Sequence, residues 1–342
     1  MTSWGSVGRR TAVAAGWAVA AGMSVVGLNR LFRSESEPAL IGVQGIGMWL
    51  LLPAYPLALA AIVARKKALA GVAVALVLGN VVWAGEMFER GHDQPAPAGA
   101  ATLRLVSANL LVTNPDIVTL GRDLAATGAD VIVLQEVSAE HLAGLGAAGL
   151  LDRYPYQVLD PLPAFHGSAI LSALPIADGR AFDVAGSPMT RADITTGTGI
   201  ARLINVHTVA PLNESQARRW RAQLHLLAQI QPPESGALIM AGDFNATLDH
   251  APMDALVSSG MRDAFNEAGQ GIGATWPQTS GLMPPLMRLD HILVSDQVVV
   301  MSAEVQANPG SDHRRLSVEL ALPSAAASKS VPQPSTSLAA SP

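Results

Sequence analysis

Long uncharged apolar runs fill the first ninety residues, and a different pattern follows them. Residues 11–28, 39–64 and 68–85 contain no Asp, Glu, Lys or Arg. Each run is close to the roughly 20 residues that a helix needs to cross a bilayer. The pattern predicts three transmembrane helices within residues 1–90. A cleaved signal peptide is the alternative for the first run, because Arg9 and Arg10 precede it and small residues are frequent in it.

From residue 102 onward the chain alternates short apolar runs with polar stops. The runs "LRLVSANL", "DVIVLQE", "ARLINVH" and "ALIMAGDFN" are typical of strands, and each reaches an Asn, Glu, His or Asp at its end. The segments "PDIVTLGRDLAATG" and "SQARRWRAQLHLLAQI" have the spacing of helices. In "RLSVELAL" apolar and polar residues alternate, which favours antiparallel pairing. The order predicts an α/β or α+β fold with one or two mixed sheets.

Composition agrees with a chain that is partly embedded in a membrane. Hydrophobic residues make up 49%, charged residues 14%, and mean hydropathy is +0.31, which is too apolar for an ordinary soluble protein. We expect a linker over residues 91–101, a folded part over residues 102–322 and a disordered, low-complexity tail over residues 323–342. The absence of cysteine fits an exported and a cytosolic folded part equally well.

The positive charges in the short connections predict the orientation. Arg9, Arg10 and the run "RKK" at residues 65–67 mark one side, which is cytoplasmic by the positive-inside rule. The segment "GEMFERGHDQ" after the third run is mostly acidic, although Arg30 and Arg33 in the first connection weaken the contrast. We therefore predict a multi-pass membrane protein whose folded part is extracytoplasmic.

Polar residues at or near strand ends form the candidate site. They are Asn109, Glu136, His207, Asp243, Asn245, Asp290, Asp312 and His313. Taken singly, such residues are often turn formers or helix caps. Their recurrence on separate strands indicates a shared site, because ends of neighbouring strands converge. With oxygen donors outnumbering imidazoles, the set suits Mg²⁺ or Mn²⁺ and therefore phosphate ester chemistry.

Several motifs resemble the endonuclease/exonuclease/phosphatase superfamily, which has the deoxyribonuclease I-like fold. They are "SANLL", "VIVLQEV", "GSAILSALPI", "LINVHT", "MAGDFNAT", "RLDHILVS" and "GSDHRRL", in that order, between about residues 104 and 318. The resemblance implies an α/β four-layer sandwich, in which two mixed β-sheets pack face to face with helices outside.

The same resemblance implies roles for the metal-binding positions. Glu136 corresponds to the principal metal ligand, Asn109 lies beside it, and Asp312 contributes directly or through water. The implied cofactor is Mg²⁺ or Mn²⁺.

The resemblance also implies the catalytic positions. His313 corresponds to the essential histidine beside the scissile phosphate, paired with Asp290. Asp243 orients or deprotonates the attacking water, Asn245 binds a phosphate oxygen, and His207 contacts phosphate or assists the leaving group. The general base stays open between Asp243 and His313.

Three further residues near these motifs need separate interpretations. His166 precedes "GSAILS", a segment that is expected to form a wall of the substrate cleft, and we predict that it binds substrate. His291 follows Asp290 on a strand and points to the opposite face, so we expect a structural role. Trp276 in "ATWP" either packs against the core or lines the cleft, and we favour packing.

The substrate is the least defined part of the prediction. From residue 95 onward the chain has fourteen basic and twenty-two acidic residues, a net charge of −8. Nucleases gain most of their affinity from cationic tracks, so nucleic acid is the second hypothesis. The architecture is similar to that of membrane-anchored bacterial VanJ-type teicoplanin-resistance proteins, which favours a lipid-linked phosphate in a bacterial cell membrane. The third hypothesis is an inactive binding module, and no obligate protein partner is evident.

Overall fold

The structure is a computed structural model that describes residues 4–33, 35, 37–88, 94–234, 236–269, 271–278 and 283–322. The predicted tail over residues 323–342 and part of the predicted linker lie outside the described residues. We refer to the helices of residues 4–88 as the N-terminal helices and to residues 101–322 as the sandwich.

The N-terminal helices differ from the three continuous spans that we predicted. They are α1 (Trp4–Phe32), α2 (Pro38–Gly45), α3 (Gly47–Leu50), α4 (Ala54–Val63) and α5 (Lys67–Phe88). Of the described helices, two stretches, Val7–Phe32 and Lys67–Gly85, are long and apolar enough to cross a membrane. The predicted middle helix is broken, with Pro38–Gly45 and Gly47–Val63 bent by 78°. It amounts to a third span only if this bent pair crosses as one.

The break in the middle helix has a local cause. Gly45 and Gly47 flank Ile46, which leaves the helical conformation with φ −109° and ψ 11°. Glycine lowers the stability of a helix interior, and proline removes a backbone donor from it. Pro53 lies just before α4, so the apolar run restarts as a new helix there. Apolar composition predicted a span, but it did not register these interruptions.

Two mixed sheets form the sandwich, as the sequence predicted. In pairing order, the first sheet contains β11 (Val299–Gln306), β12 (Arg315–Leu322), β1 (Ala101–Asn109), β2 (Val131–Gln135), β4 (Ser168–Ser172) and β3 (Tyr156–Asp160). The second contains β5 (Ile176–Val184), β6 (Ser187–Thr196), β7 (Gly199–His207), β8 (Gly236–Asp243), β10 (Asp290–Ser295) and β9 (Met261–Asp263). The pairs β1–β2 and β7–β8 are parallel, and the other neighbouring pairs are antiparallel.

Helices α6 (Ile117–Ala126), α7 (Ala139–Ala147), α8 (Glu214–Leu227) and α9 (Ala251–Ser258) cover the outer faces of the sheets. The short α10 (Ala264–Ala268) packs instead into the core between the sheets. One apolar core lies between the sheets and contains Leu105 and Leu203. A second joins β2 to α6 and α7, and a third joins β8 to α8 and α9. The predicted four-layer α/β sandwich is therefore confirmed.

The strands follow their sequence patterns. All five residues of β2 are buried, because core packs on both of its faces. In β12, Leu316, Val318, Leu320 and Leu322 face the core between the sheets, and Ser317 and Glu319 are only partly buried. The alternation that predicted this strand thus corresponds to its two faces.

The N-terminal helices pack directly against the sandwich. The Arg30 guanidinium lies 2.5 Å from Asp249 Oδ1, and the Gln44 side chain donates to the Asp249 carbonyl at 2.9 Å. Trp49 Nε1 donates to the Leu286 carbonyl at 2.9 Å. Ile41 of α2 is 2% exposed and belongs to the same core as α8 and α9. The end of α1 and helices α2 and α3 therefore contact the sandwich.

Candidate active site

The polar residues of the two parallel strand pairs meet at one end of the sandwich. In the first sheet Asn109 at the end of β1 is paired with Gln135 at the end of β2. In the second sheet His207 at the end of β7 is paired with Asp243 at the end of β8. Asp290 begins β10 and lies opposite Asp243 in the antiparallel pair. Stacking of the two sheets brings these ends together.

The tightest group of charged side chains is Asp243, Asp290 and His313. One donor atom from each lies within 4.8 Å of the others, and all three residues are buried. His313 Nδ1 lies 2.8 Å from Asp290 Oδ2, and His313 Nε2 lies 3.7 Å from Asp243 Oδ2. Asp290 therefore holds the imidazole so that its other nitrogen faces Asp243.

A glycine immediately before Asp243 lets β8 pass close to β7. Gly242 has φ +147°, and a Cβ there would lie 1.9 Å from the Val206 carbonyl oxygen of β7. Only glycine fits this approach between the two parallel strands. The "GD" pair of the motif is thus a packing requirement followed by a functional group.

Asn109 joins two carboxylates across the sheets. Its amide nitrogen donates to Glu136 Oε1 at 3.0 Å and to Asp243 Oδ2 at 3.1 Å. Its amide oxygen accepts from the Leu111 backbone N–H at 2.9 Å, which fixes the orientation of the amide. In this arrangement the nitrogen faces the carboxylates, and the ligand role for Asn109 stays a prediction.

Glu136 lies just past β2 in a strained backbone conformation. Its φ is +59°, a region that non-glycine residues rarely occupy. The Val112 backbone N–H donates to Glu136 Oε2 at 2.8 Å, and His141 Nδ1 lies 2.9 Å from the Glu136 carbonyl oxygen. These contacts turn the carboxylate away from the strand direction and towards Asn109.

His207 and Asn245 complete the group. His207 Nε2 lies 3.9 Å from Asp243 Oδ2 and 4.0 Å from Glu136 Oε1. The backbone N–H of Asn245 donates to Asp243 Oδ1 at 2.8 Å, and its side chain donates to the Thr208 carbonyl at 2.9 Å. Both carboxylate oxygens of Asp243 are thereby held by donors.

Asp312 and His166 occupy more peripheral positions. Asp312 lines the same cavity, and its Oδ2 accepts from Trp276 Nε1 at 3.2 Å. Trp276, which we expected to pack in the core, lines the cavity instead and orients Asp312. His166 ends a short 3-10 helix and stacks on Phe165, and among the described residues Phe165 lines the cavity but His166 does not.

Burial and neighbouring charges shift the acid–base properties of the central pair. Burial alone would lower the pKa of His313, but the adjacent carboxylates of Asp290 and Asp243 hold that pKa well above its ordinary value. Burial raises the pKa of Asp243, and Asp290 adds to the rise, whereas His313 and His207 oppose it. Two carboxylates and an imidazole of this kind form an acidic, partly desolvated site that attracts cations.

A divalent cation fits the side chains of this site. Asp290 Oδ1 is buried and has no hydrogen-bond partner among the described residues, and such an atom has an unfilled place for a ligand. Carboxylate oxygens are donors that Mg²⁺ and Mn²⁺ accept, whereas the raised pKa of His313 keeps its imidazole protonated beside them. The three residues within 4.8 Å are not the predicted ligands Glu136, Asn109 and Asp312, although Asn109 joins Glu136 to Asp243.

The site opens into a cavity of about 920 Å³. Glu136, His207, Asp243, Asn245 and His313 form part of its lining. Residues 37–39, 41 and 42, which belong to α2 and the turn before it, form another part, which we call the α2 wall. The sequence does not indicate this wall, because an apolar run gives no sign that it will face a polar site.

Buried polar residues behind the site also escaped sequence analysis. Ser311 Oγ donates to the Asn109 carbonyl at 2.8 Å and accepts from the His313 backbone N–H at 3.0 Å. The Asn308 side chain donates to the same Asn109 carbonyl at 2.7 Å. Ser311 lies inside the "GSDH" motif, which could have identified it, whereas Asn308 has no comparable signal.

The chain belongs to the endonuclease/exonuclease/phosphatase family, whose model matches residues 106–313, more than half of the chain. It is thereby placed among phosphoesterases and nucleases that use divalent metals. No protein with a curated description matches the sequence.

Solved structures agree on the fold. An endonuclease/exonuclease/phosphatase from Bacteroides vulgatus has a TM-score of 0.56 at 19% identity, over 65% of this chain and 99% of that one. A humanized D. rerio TDP2 has a TM-score of 0.54 at 17% identity, over 64% and 98%. The 3′ phosphatase NExo from Neisseria, bound to product DNA hairpin, has a TM-score of 0.51 at 18% identity, over 63% and 98%. At these identities the likeness shows the fold alone.

Proposed function

We propose that this protein is a membrane-anchored, divalent-metal-dependent phosphoesterase that cleaves phosphate ester or pyrophosphate bonds at the outer surface of a bacterial membrane. The observation that carries the proposal is the convergence of Asp243, Asp290 and His313 at one end of an open cavity. Glu136 holds the metal ion in this proposal, with Asp312 contributing from the cavity wall. The side-chain amide of Asn109 contacts both Glu136 and Asp243. In this proposal the amide rotates when the ion binds, and its oxygen becomes a ligand.

The bound cation supplies Lewis-acid stabilisation of charge that develops on phosphate oxygens. Asp290 fixes the His313 ring, so that Nε2 lies beside Asp243 and faces the phosphate position. Asn245 and His207 donate to phosphate oxygens from the neighbouring wall. The proton of the attacking water passes to Asp243 or His313, whose nearest atoms lie 3.7 Å apart.

A lipid-linked substrate is the finer part of the proposal. It is supported by the two helices that are apolar enough to cross a membrane and by the contact of α2 with the cavity. A nuclease is the second candidate, supported by the fold it shares with the DNA-bound NExo structure. The net charge of −8 from residue 95 onward disfavours it, since phosphate neutralisation by basic residues provides most nuclease affinity.

The test uses the full chain, purified in detergent, with Mg²⁺, Mn²⁺ or EDTA. Farnesyl diphosphate, a phospholipid and duplex DNA are offered side by side, and we expect metal-dependent hydrolysis of a lipid-linked phosphate. Exclusive cleavage of DNA would overturn the lipid proposal. Absence of metal-dependent hydrolysis of all three substrates would overturn the proposal that the protein is a phosphoesterase.

The metal assignment is tested by Glu136→Ala. We expect this variant to lose hydrolysis and Mn²⁺ binding measured by calorimetry, while its circular dichroism stays that of the parent. Glu140→Ala is the matched control, because Glu140 lies four residues further on an exposed position of α7. A Glu136→Ala protein that hydrolyses at the parent rate would show that the metal is held elsewhere.

The outward orientation is tested with protease added to intact spheroplasts. We expect cleavage in the sandwich without permeabilisation of the membrane. Cleavage only after permeabilisation would place the sandwich in the cytoplasm.

A further inference from the structure

The lining of the cavity combines two chemically different groups of residues. The carboxylates and imidazoles described above form what we call its catalytic end. The rest of the lining is mainly apolar and includes Pro38, Ala39 and Ile41 of α2 together with Val209 and Met287 of the sandwich. A cavity with a few convergent polar groups and an otherwise apolar lining is typical of a site for a ligand with a charged head and an apolar body.

The α2 wall is fixed to the sandwich. His250 Nδ1 accepts from the Thr247 backbone N–H at 2.8 Å, which leaves Nε2 to donate to the Ile41 carbonyl at 3.0 Å. The side chain of Ile41 is buried in the core that contains Trp220. These contacts fix the position of α2 relative to the catalytic residues, which is required of a wall that selects between substrates.

Apolar side chains are also exposed at the border of the cavity. Leu212 is 78% exposed and Phe165 is 43% exposed, and both line the cavity. Large apolar groups in such positions favour contact with hydrocarbon over contact with water. They add exposed apolar surface to the lining of the cavity.

The position of α2 in the chain connects this apolar lining to the membrane. Helix α1, a candidate span, ends at Phe32, and α2 begins at Pro38 as the first half of the bent pair. The lining of the cavity therefore includes residues that follow a candidate span by only five positions, from Phe32 to Glu37. A nucleotide or a free sugar phosphate has no hydrocarbon chain that would contact this apolar lining.

We propose that α2 is the specificity-determining wall of the active site and holds the hydrocarbon chain of a membrane-derived phosphoester whose phosphate lies at the catalytic end. The inference rests on the proposed phosphoesterase function and assigns the substrate chain to particular residues. The N-terminal helices then build part of the site, in addition to anchoring it.

Gly42 provides a clean way to alter this wall. It lines the cavity, and a Cβ at this position would meet no described atom within 4 Å. Gly42→Leu therefore adds an apolar side chain from a Cβ position that has space, and it replaces glycine by a better helix former. Ala39→Phe at an exposed lining position is a second variant of the same kind. The matched control is Gly71→Leu on α5, where a Cβ also meets no described atom within 4 Å and the cavity is not lined.

The experiment measures chain-length selectivity of the full protein in one detergent with Mg²⁺. The substrates are the p-nitrophenyl diesters of decyl phosphate and methyl phosphate. We expect the parent to prefer the decyl ester by at least about tenfold in kcat/KM, since burying each methylene contributes several-fold. In Gly42→Leu this preference is expected to fall by about tenfold, mainly through KM, as displacement of roughly two methylene groups would cause. Gly71→Leu is expected to keep the parent preference.

Binding separates this inference from the proposed function. If neither diester is hydrolysed, and farnesyl diphosphate, phospholipid and DNA are not hydrolysed either, the phosphoesterase proposal fails, and calorimetry with decylphosphonate and methylphosphonate still tests the wall. Decylphosphonate is then expected to bind the parent at least about tenfold more tightly than methylphosphonate, and Gly42→Leu to remove most of that difference. A parent without chain-length preference in hydrolysis or binding overturns the proposal. Equal losses for both chain lengths in Gly42→Leu and Ala39→Phe also overturn it.

Discussion

Two buried aspartate–histidine pairs each include a residue of β10 in the second sheet, and one of the two belongs to the site. In the first pair His313 Nδ1 lies 2.8 Å from Asp290 Oδ2. In the second pair His291 Nδ1 lies 2.7 Å from Asp263 Oδ2. Asp290 and His291 are consecutive in β10, so neighbouring residues of one strand belong to different pairs. The local geometry of the two pairs is nearly the same.

The pairs differ in the second nitrogen of each imidazole. His291 Nε2 lies 2.9 Å from the Ala246 carbonyl oxygen, so both of its nitrogens have protein partners and its side chain is fully buried. His313 Nε2 faces Asp243 at 3.7 Å and the cavity. An aspartate–histidine pair thus becomes chemically useful when its remaining nitrogen faces a space that substrate can enter. The alternation of β10 puts one residue on each face and produces this division.

The largest effect is expected for His313→Gln. General acid–base groups contribute about 10²- to 10⁴-fold to rate, so hydrolysis should fall by that order while the protein stays folded. His291→Gln is the comparison, with kcat in its surviving folded fraction close to the parent value. The measurement is kcat per folded protein, with the folded fraction taken from circular dichroism. Equal losses of kcat in the two folded variants would mean that the pairs do not differ in function.

The second prediction reverses the comparison and concerns stability. His291→Ala removes a partner from the fully buried Asp263 and leaves the Ala246 carbonyl without its donor. Breaking a buried ion pair costs about 3 to 5 kcal/mol, and we expect the lower value because Arg288 also lies 3.3 Å from Asp263. Thermal unfolding of the sandwich, followed by near-UV circular dichroism, should shift down accordingly. His313→Ala should cost less, since its ring borders the cavity and water can replace it. The reverse order of the two midpoints would contradict this division of roles.

The third and smallest expected effect is a loss of folding stability in acid. Burial alone would raise the pKa of Asp263, but Arg288 and His291 lower it to about 2. Because the folded-state pKa lies below the unfolded one, the stabilisation is present above the unfolded value and is lost as pH falls towards 2. The amount is about 2 kcal/mol by linkage. Chemical denaturation between pH 5 and pH 2 should show this loss in the parent, and Asp263→Asn should flatten it. A parent-like slope in Asp263→Asn would assign the acid sensitivity to other carboxylates.

The sequence predicted the strand ends of the site because each depends on local chemistry. A strand that ends at Asp243 or Glu136 can be recognised within a few residues, because the apolar run marks the buried strand and the charged residue marks its end. His291 was placed on the face opposite to Asp290 by the same reasoning, and its contacts confirm a structural environment. The two sheets and their helices followed from the family motifs.

The failures share a different cause. The middle apolar run was expected to be one helix, but it is broken beside Ile46, and its first half packs against the sandwich. Trp276 was expected in the core and lies at the cavity. In both cases the residues were correctly identified as hydrophobic, but the surface against which they pack was not predicted. Hydropathy measures the tendency of a side chain to leave water, and it carries no information on which surface receives it.

By itself, the sequence determined which residues are able to do chemistry and roughly where strands and helices begin and end. These features depend on side-chain type and on periods of a few residues. The tertiary structure alone decided that Asn109 joins Glu136 to Asp243 and that α2 closes one side of the cavity. The contact of Asn109 with Asp243 spans 134 residues, and the contact with Glu136 spans 27. They depend on how the two sheets stack and where the N-terminal helices dock, which no local pattern specifies.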